Sequence, residues 1–132
     1  MDNNTDRNLV VDVKNLHISF KTFKGYSKVL NGVNLQVHKR ERIAIVGETG
    51  CGKTTTVSAI AQILAKQARV DKGEIFFNGK SVLKMNAKEL KKMRENGISI
   101  IFQDPIASLN PVFTIGNQMR EVIRYSGIDG AT

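Results

Sequence analysis

The sequence has few aromatic residues and a single cysteine. Tryptophan is absent and aromatic residues make up 6% of the 132 residues, so a platform of stacked rings for single-stranded nucleic acid is not expected. Cys51 cannot form a disulfide within the chain, which favours a reducing compartment. No apolar run approaches the roughly 20 residues that a membrane-spanning helix needs. These absences predict a protein that stays inside the cell and does not insert into a membrane.

What remains is an ordinary globular composition with a basic balance. Hydrophobic residues make up 41% and charged residues 24% of the chain, which is typical of a folded domain. The formal net charge of +8 suits partners such as phosphates, nucleic acid or an anionic membrane surface. A solvated basic face is the simpler interpretation, because the basic residues are densest between Lys80 and Glu95 and form no tail.

Alternating apolar residues predict antiparallel strands in the first third of the chain. Residues 1–8 are polar and are expected to be a flexible N-terminus without the features of a signal peptide. A period of two follows over residues 9–13 and 16–20, and another strand is expected over 29–37. The polar residues 21–28 between them predict a loop. Further on, Asn78-Gly79 separates two short apolar runs and predicts a hairpin turn.

Two nearly continuous apolar runs, residues 42–46 and 98–102, predict buried parallel strands. Helical spacing begins at Lys53 and is expected to end near residues 66–68. Asn86 and Glu89 have the spacing of a capping box, which predicts a helix over 87–95 that stops at Gly97. Residues 117–125 are expected to form the start of a last helix.

Residues 47–54 read Gly-Glu-Thr-Gly-Cys-Gly-Lys-Thr and match the P-loop pattern GxxxxGK[ST] at every fixed position. Glycines let successive N–H groups point inward as an anion-binding nest, and the following helix adds its positive end. Lys53 can reach the β- and γ-phosphates, and the Thr54 hydroxyl suits Mg²⁺. The dinucleotide fingerprint GxGxxG is not met, which disfavours a nicotinamide or flavin site. The predicted contacts with ATP are Gly47, Glu48, Thr49, Gly50, Cys51, Gly52, Lys53, Thr54 and Thr55.

Gln103 follows the second predicted parallel strand. Ligands of parallel sheets bind at the carboxyl ends of the strands, so Gln103 and Gly47 are expected to open onto one crevice. A glutamine there can orient a water molecule or contact Mg²⁺. From its position alone, an exposed loop amide is an equally good interpretation.

Residues 101–111, Ile-Phe-Gln-Asp-Pro-Ile-Ala-Ser-Leu-Asn-Pro, resemble the Q-loop region of ABC transporter ATPases. The form is similar to that of the oligopeptide, dipeptide and nickel permease branch, and the order of elements also matches. The resemblance covers residues from about 9 to 126. It implies an α/β P-loop NTPase fold of the ABC nucleotide-binding type, with an antiparallel β subdomain and part of a parallel-sheet core.

The resemblance also implies roles for individual residues. Gln103 would contact Mg²⁺ or the attacking water, so Lys53 and Gln103 are the catalytic candidates and Thr54 and Gln103 the metal ligands. Phe20 stands where this family stacks an aromatic ring on adenine. Phe23 and Tyr26 remain alternatives for that role, and Phe20 could equally be the last core residue of its strand.

The later motifs of the family are missing from these 132 residues. There is no Leu-Ser-Gly-Gly-Gln signature, no second apolar strand ending in Asp-Glu and no switch histidine; His17 and His38 lie elsewhere and are expected at the surface. The expected organisation is therefore incomplete. Residues 9–103 would form the antiparallel subdomain and the first part of the core, and residues 104–132 the Q-loop continuation and the start of a helical subdomain.

These features predict the ATP-binding subunit of a peptide-type importer at the cytoplasmic face of the membrane. Its expected partners are membrane-spanning permease subunits, through the Q-loop region, and a second ATPase subunit; nucleic acid and lipid are not expected. The complete protein would be an ATPase, whereas this chain alone should hydrolyse little ATP. The alternatives are a truncated nucleotide-binding or interaction fragment without turnover, and a DNA-associated ATPase, against which residues 101–111 argue. Dipeptide, oligopeptide and nickel all remain open as the solute.

Overall fold

A computed structural model describes residues 8–104 and 106–125 of the chain. The chain divides into two compact units, residues 1–90 and 91–132. The predicted flexible segment 1–8 lies outside the described residues except for Asn8.

The first unit is built on an antiparallel sheet, as predicted. Its strands run in the order β2-β1-β3-β4, with the bounds β1 Leu9–Thr22, β2 Gly25–His38, β3 Ala68–Phe77 and β4 Lys80–Ser81. The two short strands predicted over residues 9–20 are one continuous strand. Apolar residues of β1 and β3 form the core of this sheet, and its fully buried members include Val13, Leu16, Ile18 and Ile75.

The loop predicted over residues 21–28 is wrong, because β1 and β2 continue almost to the tip of their hairpin. Only Phe23 and Lys24 form the turn. Gly25, at φ 125°, reverses the chain, and the Thr22 hydroxyl donates a hydrogen bond to the Gly25 carbonyl oxygen at 3.1 Å. Cross-strand hydrogen bonding therefore outweighs the polar composition that indicated a loop.

Central strand β1 has a bulge at Asn15, whose φ is 47°. The pairing register shifts there against both β2 and β3. The Asn15 N–H donates to the Asn34 side-chain oxygen at 2.9 Å, and Gly73 of β3 passes so close that a Cβ on it would lie 2.6 Å from the Leu16 Cα. A bulge re-aims the residues after it, and those residues include the buried Leu16 and Ile18.

Helix α1, Lys53–Ile60, is shorter than predicted. Gln62 adopts φ 56°, the Ile63 N–H donates to the Ser58 carbonyl at 2.9 Å and the Gln62 N–H to the Ala59 carbonyl at 3.2 Å. These are the two hydrogen bonds of a Schellman motif, which ends a helix in the left-handed conformation. Glycine usually marks such an end, and Gln62 gave no such signal.

The other two helices lie close to where the sequence predicts them. In α2, Ala87–Asn96, the Asn86 side chain accepts from the Glu89 N–H and the Glu89 carboxylate accepts from the Asn86 N–H, both at 3.0 Å, which confirms the capping box. The Gly97 N–H closes the helix on the Met93 carbonyl at 2.8 Å. Helix α3, Ile115–Tyr125, begins two residues before the predicted range, after Thr114. None of the helices among the described residues combines the length and apolarity that crossing a bilayer requires.

The two predicted parallel strands are wrong for the described residues. Residues 42–46 and 98–102 take no strand conformation, and Val46 is 92% and Ile101 91% exposed. A buried parallel strand needs a hydrogen-bonding neighbour and packed layers on both faces. Every strand pair in the described part of the chain is antiparallel, so nothing there supplies these runs with a neighbour.

Candidate phosphate-binding site

The residues of the GxxxxGK[ST] motif lead into α1 as predicted, and Lys53 and Thr54 form the start of this helix. Gly52 is the N-cap of the helix and is left-handed, with φ 95° and ψ 4°. A Cβ on Gly52 would lie 2.5 Å from the Leu30 Cδ2, because the loop packs directly against β2. Gly50 also has a positive φ, of 83°, whereas Gly47 does not. The left-handed conformation of Gly52 favours glycine, and a larger residue would in addition have to displace the Leu30 side chain.

Lys53 folds back over the loop that precedes it. Its Nζ donates to the carbonyl oxygens of Gly47 and Glu48, each at 2.6 Å, and lies 3.5 Å from the Cys51 Sγ. A Cβ on Gly47 would meet that same sulfur at 2.7 Å. The ammonium group is thus held at the loop by neutral carbonyl oxygens. Phosphate oxygens are charged and would form stronger hydrogen bonds with it.

The hydroxyl groups after Lys53 have different environments. Thr54 is exposed, so its side chain is accessible to a cation. Thr55 is half-buried, and Glu48 and Thr49 are exposed. A threonine hydroxyl is a hard oxygen ligand of the kind that Mg²⁺ prefers. The residues present at the start of α1 therefore fit the predicted magnesium ion.

Thr56 is a site residue that the motif did not indicate. It is buried, and both its N–H and its hydroxyl donate to the Gly52 carbonyl oxygen at 2.9 Å. These two bonds tie the first turn of α1 to the glycine that precedes it. A threonine in the first turn gives no sequence signal for this, because the pattern GxxxxGK[ST] ends two positions earlier.

Gln103 lies in the second unit and is exposed. Its predicted contact with Mg²⁺ or water stays a prediction, because the phosphate loop belongs to the first unit. A short 3-10 helix follows over Ile106–Ser108. Asp104 precedes Pro105, which lies outside the described residues.

Gln118 of α3 forms several hydrogen bonds with the segment that precedes this helix. Its Oε1 accepts from the Asn110 N–H, and its Nε2 donates to the carbonyl oxygens of Asn110 and Phe113, all at 2.9 Å. The Asn110 side chain in turn accepts from the Val112 N–H at 3.0 Å. The sequence gave no signal for Gln118, since its partners lie five to eight residues away in an irregular segment.

The three aromatic candidates for adenine stacking have different environments. Phe20 is half-buried in β1, opposite Ser27 of β2 and Ala68 of β3. Phe23 is fully exposed in the turn. The Tyr26 ring is covered by the Arg69 guanidinium at 4.1 Å. A ring already covered by a cation has one face less for a base, so Tyr26 is the weaker candidate.

Both histidines are half-buried and hydrogen-bonded to side chains. The His17 Nε2 lies 3.0 Å from the Asn15 Oδ1, and the His38 Nδ1 lies 3.1 Å from the Glu41 carboxylate. The His38 backbone N–H, and then its ring, lower the pKa of Glu41. The hydrogen bonds between His38 and Glu41 thus stabilise the turn that follows β2 and precedes the phosphate loop.

Comparisons with known proteins agree with this geometry. The sequence model of the family described as ABC transporter matches residues 30–129. The chain is 42% identical over 112 residues to the dipeptide transport ATP-binding protein DppD of Lactococcus lactis (85% of this chain, 32% of that protein). It is 43% identical over 115 residues to the oligopeptide transport ATP-binding protein OppD of Bacillus subtilis (86% and 32%). With the probable peptide ABC transporter ATP-binding protein y4tR of Sinorhizobium fredii it shares 38% over 128 residues (96% and 38%).

The chain therefore spans 32% to 38% of the length of these relatives. Among solved structures, it superposes on the dimeric bacterial ABC transporter cassette MJ0796 with a TM-score of 0.73 at 23% identity, covering 88% of this chain and 47% of that one. It superposes on cbiO1 from Clostridium perfringens with a TM-score of 0.63 at 25% identity, covering 89% and 48%. The likeness to MJ0796 concerns the fold alone, and it confirms the predicted fold class.

Proposed function

Since the chain belongs to the ABC transporter family, we propose that it binds ATP with Mg²⁺ through residues 47–55, as part of the energy-coupling subunit of a peptide importer. The observation that carries the proposal is the position of Lys53, held at the loop by two weak acceptors beside the start of a helix. The printed names of the relatives, dipeptide and oligopeptide transport ATP-binding proteins, support the peptide branch. The solute itself stays open among dipeptides, oligopeptides and nickel.

Binding would begin with an exchange of partners at Lys53. Its ammonium group would leave the carbonyl oxygens of Gly47 and Glu48 for the β- and γ-phosphates, because charged acceptors bind it more strongly. The N–H groups at the start of α1 would meet the phosphates along the helix axis. Mg²⁺ would neutralise phosphate charge when bound, with the Thr54 hydroxyl as one ligand and Gln103 as a second candidate.

The test is the affinity for a fluorescent ATP analogue, measured by anisotropy with and without Mg²⁺. We expect Lys53→Ala to weaken binding at least about tenfold, since a charge-assisted hydrogen bond contributes about 1.5–3 kcal/mol. Lys66→Ala, an exposed lysine beyond α1, is the matched control and should bind like the unaltered chain. Equal affinity of the Lys53→Ala and Lys66→Ala variants would contradict the proposal.

We further propose that the segment after Gln103 is the contact surface for a membrane-spanning permease subunit. In this proposal residues 9–103 bind the nucleotide and residues 104–132 contact the permease. Apolar side chains there are exposed, among them Ile106, Leu109, Val112 and Phe113, while Gln118 holds their backbone in place. The contact would be with protein, at the cytoplasmic face of the membrane, beside a second ATPase subunit and without nucleic acid.

The contact can be tested by crosslinking from a photoreactive residue at position 112 in membranes that contain the permease. A crosslink to the permease that Gln118→Ala weakens is expected, because that substitution removes three hydrogen bonds from the segment. The same group placed at Lys14, on a β1 segment outside this surface, is the control. Equal crosslinking from positions 112 and 14 would contradict the proposed surface.

A further inference from the structure

One face of the antiparallel sheet carries an open cavity of about 560 Å³ that the proposed function does not use. Its lining comes from β1, β2 and β3 of the first unit: His17, Ser19, Tyr26, Lys28, Leu30, Arg69, Val70, Asp71 and Lys72. Phe20, the predicted adenine contact, is not among these lining residues.

The cavity is basic. Lys28 and Arg69 flank Ser19 directly across the sheet, one on each neighbouring strand, and Lys72 lies opposite His17. Cross-strand neighbours have Cβ atoms about 4.5–5.5 Å apart. Arg69 is already engaged, with the Asp71 carboxylate at 2.7 Å and the Tyr26 ring at 4.1 Å. Lys28 and Lys72 therefore leave an excess of positive charge that Asp71 does not balance.

A buried hydroxyl lies within this basic surface. Ser19 is 1% exposed, and its Oγ has no hydrogen-bond partner of ordinary length. The hydroxyl is nevertheless close enough to Asp71 to be the first cause of the lowered pKa of that carboxyl, ahead of the Arg69 guanidinium. A buried hydroxyl without a full hydrogen bond costs free energy, and an anion in the cavity would provide an acceptor for it.

We propose that this cavity binds the phosphate group of a small anion, with the Ser19 hydroxyl as donor and Lys28 and Lys72 as counter-charges. The lining contains no P-loop residue, although Leu30 of the lining also packs against Gly52. The volume admits either inorganic phosphate or a small phosphate ester. Asp71 remains paired with Arg69 at 2.7 Å.

The experiment is a titration followed by the amide resonances of residues 17–19, 26–28 and 69–72. It uses the Lys53→Ala chain, in which binding in the P-loop is expected to be weaker, and the amides of residues 47–54 are followed as well, so that any binding in the P-loop is seen separately. Inorganic phosphate and glucose 6-phosphate are added in separate arms, against chloride at equal ionic strength. Saturable shifts at these amides with either phosphate are expected; tighter binding in one arm identifies that source, free phosphate or ester.

Two variants then test the assignment. Lys28→Ala should weaken phosphate binding by about threefold to fivefold, the effect of one exposed charge pair, and Ser19→Ala, which removes a single oxygen atom, should also weaken it. Lys24→Ala, at the tip of the same hairpin and outside the cavity, is the matched control and should bind normally. No saturable shift, or equal binding by the Ser19→Ala, Lys28→Ala and Lys24→Ala variants, would overturn the proposal.

Discussion

At the scale of single residues, two glycines combine a positive φ with a close neighbour, which is a side chain at Gly52 and backbone at Gly73. Gly52 and Gly73 have φ values of 95° and 103°. In each case a neighbour lies where a Cβ would be, Leu30 for Gly52 and the β1 backbone for Gly73. The first position lets the phosphate loop pack on β2, and the second lets β3 pass the bulge at Asn15. The P-loop pattern predicted the first, and nothing in the sequence predicted the second.

Gly73→Ala is expected to destabilise the sheet strongly, because its Cβ would collide with the carbonyl oxygen of Asn15 and the Leu16 Cα. Gly25→Ala is the matched control, since Gly25 also has a positive φ but open space around it. The left-handed strain of about 1–2 kcal/mol is common to both, and overpacking should add about 1–3 kcal/mol at Gly73 alone. Urea unfolding measures the difference, and equal loss of stability in the two variants would contradict the described bulge.

At the scale of elements, local interactions decide how well the sequence predicted the structure. The Asn78-Gly79 turn lies where expected, with φ values of 48° and 77°, and the Asn86–Glu89 cap opens α2. Both signals concern residues at most three positions apart. The sequence did not predict the early end of α1, because Gln62 is left-handed without being glycine. It also did not predict that β1 and β2 continue through residues 21–28, because cross-strand pairing leaves no short-range pattern.

The cap of α2 can be tested by Asn86→Ala. We expect a loss of about 1 kcal/mol of helix stability, because the Glu89 N–H loses its acceptor at the N-terminus. Amide hydrogen exchange of the first turn of α2 measures the loss, and Lys84→Ala, just before the cap, serves as control. Unchanged protection in the Asn86→Ala variant would show that the reciprocal bonds do not hold the helix start.

At the scale of the whole molecule, the sequence predicted the family and its fold class. The two parallel strands that it also predicted are not formed in the described part of the chain. The runs at residues 42–46 and 98–102 have the composition of buried strands, yet their side chains are exposed in the described part of the chain. An apolar run predicts a buried strand, but the strand forms only where other parts of the fold provide a hydrogen-bonding neighbour and cover both faces.

The most direct test of the central claim, that ATP binds in the loop around Lys53, uses the one thiol of the chain. Cys51 is exposed and lies 3.5 Å from the Lys53 Nζ, so a nucleotide in the loop should shield it. The measurement is the rate of Cys51 alkylation by iodoacetamide with and without Mg-ATP, together with ATP binding by the alkylated chain. The account predicts slower alkylation with Mg-ATP, no such protection in the Lys53→Ala variant, and loss of binding after alkylation. Full ATP binding by a completely alkylated chain, with a rate that Mg-ATP does not change, would contradict it.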